Sequence, residues 1–197
     1  MSTIGDQLAA KKSKEVTPGK NDVSIFLQLV SEQKHPLDLV RELLSNAGSK
    51  EVGATKIEIS YTRAKEGHIF EVTDNGVGMS YTGNDVYPGR LDKFLGLGLS
   101  SIVGMEGDEF SWKGLGSKLA YQSRRVEIET CAGAPNPTFD VKINEPWETL
   151  HRKDIPRAKI SEHAPQERGT RIQVIGHPPH DKGEPFTFED IIEYYIR

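Results

Sequence analysis

The stretch Phe70–Met79, FEVTDNGVGM, decides how the chain is read. Phe70 and Val72 alternate with polar residues and share a strand face with Asp74. Asn75-Gly76 directly after such a run is a strong β-hairpin signal. The same letters set a carboxylate at a strand end just before two glycines. Buried there, Asp74 needs a donor, and an adenine exocyclic amine is one that satisfies it. Gly76 and Gly78 then let backbone approach a flat ring or adopt positive φ. Tight turn and pocket floor stand level on this stretch alone, although Gly78 leads into more loop and not into a second alternating run.

The rest of the chain bounds the answer. Its 197 residues suit one domain with a core of useful size, and 36% hydrophobic with 27% charged residues is ordinary for a soluble protein. A net charge of −4 gives no global field toward nucleic acid or anionic membrane. Cys131 is the single cysteine, which excludes an internal disulfide framework and fits a reducing compartment. No apolar run is long enough to span a bilayer, and no signal-peptide core follows the N-terminus, so a cytoplasmic location is the default.

Upstream of Asp74, TKIEISYT alternates Ile57, Ile59 and Tyr61, and the short RAKEG loop joins it to HIFEVTD as an antiparallel pair. Before these, HPLDLVRELLSNAGSK places Leu37, Val40, Leu43, Leu44 and Ala47 at helical spacing, with Pro36 in the first turn and Gly48 as the stop. Residues 1–20 are polar and aperiodic and read as a loose tail; the ordered domain is expected over 21–197, starting near SIFLQLV. Downstream, the glycine-rich connection from Ser80 to Lys113 reads as a functional loop such as a lid. GLGSKLAYQS reads as a glycine loop entering a helix, and RRVEIETCA, TFDVKIN and GTRIQVIG as strands. Glu145–Arg168 reads as a polar loop. FTFEDIIEYYIR opens a helix with Thr187 as its cap; no stop signal closes it, which suggests the front of a longer protein. About five strands with helices between them predict an α+β fold, a mostly antiparallel sheet covered on one face by helices.

Chemistry has four candidate places. Asp38, Glu42 and Asn46 form a polar stripe on the first helix. That is ordinarily a solvated face, yet a carboxylate and an amide one turn apart also suit a water and a hard cation. Asp74 with its glycines is the second. The third is WKGLGSKLAY, where Gly114 and Gly116 precede a helix N-terminus able to bind anions and Lys113 and Lys118 flank it with positive charge. Such loops are also common without a ligand. The fourth is Thr170, a strand-former or a hydrogen-bonding support for Asp74. His177 and His180 in GHPPH read as exposed residues of a proline turn, and Cys131 as core.

The order RELLSNAGSK, VTDNGVGM, KGLGSKLAY, RGTRIQV, spread over about Pro36 to Gly176, resembles the GHKL, or Bergerat-fold, ATPases. The heat-shock protein 90 and MORC-like N-terminal domains are the nearest types. The resemblance implies a mixed, mostly antiparallel two-layer sandwich that binds ATP and Mg²⁺. It implies Glu42 as the activator of the attacking water and Asn46 as the magnesium ligand. Asp74 becomes the adenine reader, in a box with Gly76, Gly78 and Met79. Gly114 and Gly116, with Lys118 nearby, lie over the phosphates, and Thr170 supports the aspartate and its water. It further implies lid closure coupled to homodimerisation of the full-length protein; client protein or nucleic acid are conceivable partners, though net charge does not indicate the latter. Ser49 and Lys50 depart from the chaperone type, which often has Asp then Ala there. The competing expectations are a non-hydrolysing nucleotide switch, a histidine-kinase catalytic domain, for which no phosphoacceptor helix precedes Pro36, and a nonenzymatic interaction domain.

Overall fold

Alternation of apolar with polar side chains builds the sheet. The computed structural model describes residues 13–16, 23, 27, 35, 37–65, 67–84, 86–96, 116–177 and 186–195. β2 (Ile57–Ala64) and β3 (Gly67–Asp74) form the expected antiparallel hairpin, running from Ile57↔Asp74 to Ala64↔Gly67. β4 (Arg125–Cys131), β5 (Thr138–Asn144) and β7 (Gly169–Ile175) fall where the alternation puts them. Two more strands were not expected, β1 (Ser13–Val16) and β6 (Ala158–His163). Together they make one seven-stranded sheet in the order β1-β6-β5-β4-β7-β3-β2. Every pair is antiparallel, so the sheet is not mixed.

The helices whose bounds fall among the described residues are α1 (Leu37–Ala47), α2 (Arg90–Leu95), α3 (Pro146–His151) and α4 (Phe188–Tyr195), with a 3-10 helix at Gly116–Tyr121. Three readings from sequence need correction. The tail is not wholly loose, because Ser13–Val16 pairs with β6 along the sheet edge. Glu145–Arg168 is not simply a polar loop, because it contains α3 and β6. In β6 only Ala158 and Ile160 are buried and apolar, an alternation too short to stand out between lysine, serine and glutamate. The Ser80–Lys113 connection contains α2, whose Asp92 carboxylate accepts the N–H groups of Thr82 (2.8 Å), Gly83 (2.9 Å) and Gly89 (2.8 Å) and so shapes the preceding loop.

The two faces of the sheet differ in kind. Phe70, Val72, Val126, Ile128, Val141, Ile143, Ile160, Ile172 and Val174 are buried on one of them. Onto it α1 lays Leu37, Leu39, Val40, Leu43 and Ala47, while Leu44 is only partly buried. Each such large side chain stabilises the fold by about 1.5–3 kcal/mol. The 3-10 helix and α4 both pack against α1. The other face carries ion pairs, among them Arg171–Glu129 at 3.3 Å and Lys142–Glu127 at 3.1 Å. The result is the expected two-layer α+β sandwich, helices on one side and solvated charge on the other.

Thr187 caps α4 as expected: its Oγ1 accepts the Asp190 N–H at 3.2 Å, and Asp190 accepts the Thr187 N–H at 2.6 Å. His177, in contrast, is buried and not exposed, with Nδ1 2.7 Å from the Gln122 carbonyl. Pro36, Lys113 and His180, and most of the SIFLQLV segment, lie outside the described residues. Among the described residues no helix is long and apolar enough to cross a membrane.

Candidate functional site

The corner around Asp74 is built mainly from backbone. β3 ends at Asp74, which pairs with Ile57 on one side and Thr170 on the other. Asn75 does not turn a hairpin. Its Oδ1 accepts the N–H groups of Thr55 and Lys56, both at 2.9 Å, and its Nδ2 donates to Thr55 Oγ1 at 2.9 Å. The Val77 N–H donates to the Val52 carbonyl at 2.9 Å. The segment after α1 is thereby stitched to the DNGVG loop, and the hairpin alternative falls.

Both glycines of the loop are required by this packing. A Cβ on Gly76 would lie 2.2 Å from Val52 Cγ1 and 2.7 Å from the Val52 carbonyl oxygen. Gly78 has φ +69°, and a Cβ there would lie 2.0 Å from the Cys131 carbonyl oxygen. The clearance expected beside a ligand is instead clearance beside the protein's own chain.

Asp74 itself is poised. Its Oδ1 accepts the Gly76 N–H at 2.8 Å, and among the described residues Oδ2 has no hydrogen-bond partner. Burial pushes its pKa above the usual carboxylate value, and the Gly76 N–H opposes that only in part. Thr170 lies beside it in register, but its hydroxyl is 3.0 Å from Thr130 Oγ1, so the two threonines form a buried pair. Thr130 Oγ1 also accepts the Met79 N–H at 2.8 Å and donates to the Gly169 carbonyl at 3.2 Å. Thr130 was missed from sequence. The available signal was a polar residue at the buried parity of β4, in line with Val126 and Ile128.

Asp74, Gly76, Gly78, Met79 and Thr170 are therefore brought together. The C-terminal end of α1 reaches the same corner, since Gly48 lies against Ile57, the cross-strand partner of Asp74. Glu42 and Asn46 occupy the polar stripe of α1, Asn46 exposed and Glu42 partly so. Glu42 pairs with Arg41 at 3.4 Å, and among the described residues no hydrogen bond or ion pair links Glu42 or Asn46 to Asp74. Gly114 lies outside the described residues, and Gly116 opens the 3-10 helix. Lys118 does not flank an open loop. It is completely buried and donates to the carbonyls of Phe94 and of Lys93, the latter at 3.1 Å.

A cleft of about 770 Å³ opens at these strand ends, within the range that takes a nucleotide-sized ligand. Asp74 and Thr170 border it, with Lys56, Glu129, Arg168 and Arg171. Glu129 and Arg171 belong to the charged face of the sheet, while Asp74, Thr130 and Thr170 stand at the parity of the apolar face, so the cleft takes in both faces at the strand ends; its lining does not include Glu42, Asn46 or Lys118. No protein-family model matches the chain, and no curated protein is significantly similar to it.

Proposed function

We propose that the chain is the ATP-binding domain of a GHKL-type ATPase, splitting ATP to ADP and phosphate with Mg²⁺. The observation that supports this most is the state of Asp74. It is a half-buried carboxylate with one oxygen held by Gly76 and the other without a partner among the described residues. Folding raises its pKa by desolvation, so the carboxylate is kept there at a cost to the fold. An acceptor held in this way at a strand end suits an amine donor on a flat base.

The other roles follow from the resemblance. Glu42 takes the proton of a water whose oxygen bonds to the γ-phosphorus as the bond to the β–γ bridging oxygen breaks. The described residues hold no cluster of three or more His, Cys, Asp or Glu that would cage a metal. Magnesium does not need one, since it favours phosphate oxygens and water with one or two protein ligands, and the exposed Asn46 is such a ligand. Bound there, the ion supplies neutralisation of phosphate charge. Nucleotide-dependent homodimerisation, and a cytoplasmic or, in a eukaryote, nuclear location, belong to the same proposal.

Titration calorimetry with ATP, with and without Mg²⁺, tests it. Binding strengthened by Mg²⁺ is expected; absence of binding in both would sink the reading. Glu42→Ala should bind ATP normally while phosphate release falls by about 10²–10⁴-fold. Binding with no phosphate release from the wild-type protein points to the non-hydrolysing switch.

A further inference from the structure

Asp74, Thr170 and Thr130 stand in one cross-strand row, on β3, β7 and β4, and all three line the cleft. Residues directly opposite in such a row have Cβ atoms about 4.5–5.5 Å apart, so the Thr170 side chain has Asp74 on one side and Thr130 on the other. Its hydroxyl is bonded to Thr130, at 3.0 Å, and among the described residues Asp74 Oδ2 has no hydrogen bond. Counting protons explains why. A hydroxyl carries one. Thr130 spends its own on the Gly169 carbonyl, at 3.2 Å, while its oxygen accepts the Met79 N–H at 2.8 Å. The proton between the two threonines therefore belongs to Thr170, which turns only lone pairs toward Asp74. The nearby N–H donors are spent as well: Gly76 on Asp74 Oδ1, Val77 on the Val52 carbonyl and Met79 on Thr130. The charges bordering the cleft do not replace them. Lys56 pairs with Glu58 at 2.9 Å and Arg171 with Glu129 at 3.3 Å, and among the described residues neither Arg168 nor Glu167 hydrogen-bonds with Asp74. These groups leave a ligand acceptors alone.

We propose that Thr130 is a positioning residue for Asp74: by taking the Thr170 proton it keeps Oδ2 open, so that the site accepts an amine and turns away a carbonyl at the same place on a ring. For its ligand the inference rests on the nucleotide reading above. It adds Thr130 and the direction of the Thr170 proton, both of which can be read with no ligand present. Without the Thr130 oxygen, the row leaves the Thr170 hydroxyl Asp74 as its acceptor. Turned that way, the hydroxyl satisfies the carboxylate and fills the place of the amine. Both threonines are buried, so water does not stand in for the lost partner at no cost.

The test is a ¹³C NMR pH titration of the Asp74 carboxyl in the whole chain, with calorimetry of ATP and of ITP, whose base carries a carbonyl where adenine has its amine. In the wild type the Asp74 midpoint should lie above 3.8. In Thr130→Val it should fall, because a donor to the charged form favours that form. Thr130→Ser should keep the wild-type midpoint, and the double variant Thr130→Val/Thr170→Val should return to it, which a mere loosening of the corner would not do. Thr170→Val alone should leave the midpoint in place. A midpoint unmoved in Thr130→Val, or lowered equally in the double variant, overturns the proposal. So does a rise in Thr170→Val, which would put the wild-type Thr170 proton on Asp74 already. In calorimetry the wild type should bind ATP about tenfold more tightly than ITP, and Thr130→Val should lose that preference. Equal binding of the two by the wild type overturns the acceptor site and leaves the nucleotide reading standing. If neither binds, the nucleotide reading fails, and the titration still decides the part played by Thr130.

Discussion

The Asp74 corner and the polar stripe of α1 carry the two halves of the proposed chemistry, and they are held in opposite ways. At the corner, Asn75, Gly76, Gly78 and Thr130 are each fixed by a short contact to another segment: Thr55, Val52, the Cys131 carbonyl and the Met79 N–H. On the stripe, Glu42 touches Arg41, its chain neighbour, and Asn46 is exposed. A residue fixed by the fold reports its role through stability. A residue placed for a ligand reports its role only when the ligand is there. Substitutions in the two regions should separate along that line.

Gly78→Ala should do the most damage. The new methyl meets backbone, which cannot swing aside as a side chain can, and the residue must also hold a positive φ. A loss of about 3 kcal/mol or more in urea unfolding is expected. An undisturbed midpoint would show that the corner is looser than drawn. Thr130→Val comes next. It leaves the Met79 N–H and the Thr170 hydroxyl without their partner, at a cost of about 1–3 kcal/mol, while Thr130→Ser should restore most of it.

Much of this was legible in the sequence and some was not, for identifiable reasons. Five strands and α1 follow from alternation and helical spacing, which are properties of the local chain. β6 offers two buried apolar positions, and β1 takes its place by pairing with β6, so neither carries a signal of its own. Asp74 and Thr170 come together because β3 and β7 are neighbours, a fact the motif order suggested without fixing the contact. The hydrogen bond goes from threonine to threonine, and Thr130 was passed over as an ordinary strand-former although its hydroxyl stands at the buried parity of β4. Lys118 was read as a surface charge from its neighbours in sequence; its burial depends on α2, which lies in a stretch too rich in glycine to show helical spacing.

Asp74→Asn blurs the boundary between the two regions, since Asp74 belongs to the corner by position and to the ligand by chemistry. Its folded pKa is raised above the unfolded value of 3.8, mainly by burial. Below 3.8 both states are protonated and the carboxyl costs nothing; as pH rises through the folded pKa the native state must carry a buried charge, and stability is lost. An asparagine keeps an acceptor for the Gly76 N–H without the charge. The variant should therefore melt higher than wild type at pH 7, with the gap closing as pH falls toward 3.8, and should bind ATP about 10- to 100-fold more weakly. A variant that melts lower at pH 7 would make Asp74 a structural residue and remove the main support for an adenine site.

Asn46→Ala should have the smallest effect on the fold and is the sharpest probe of the stripe. Asn46 is in the last turn of α1, exposed, one residue before the buried Ala47. Alanine is the better helix former by a few tenths of a kcal/mol, about 0.5, so unfolding should be unchanged or shift slightly upward. If Asn46 holds magnesium, ATP affinity without the ion should also be unchanged, and only the gain from adding Mg²⁺ should disappear. A drop in stability would assign Asn46 to the end of α1 instead. Intact stability with an intact Mg²⁺ gain would leave the stripe a solvated helix face, and the magnesium ligand would then have to be sought on another element.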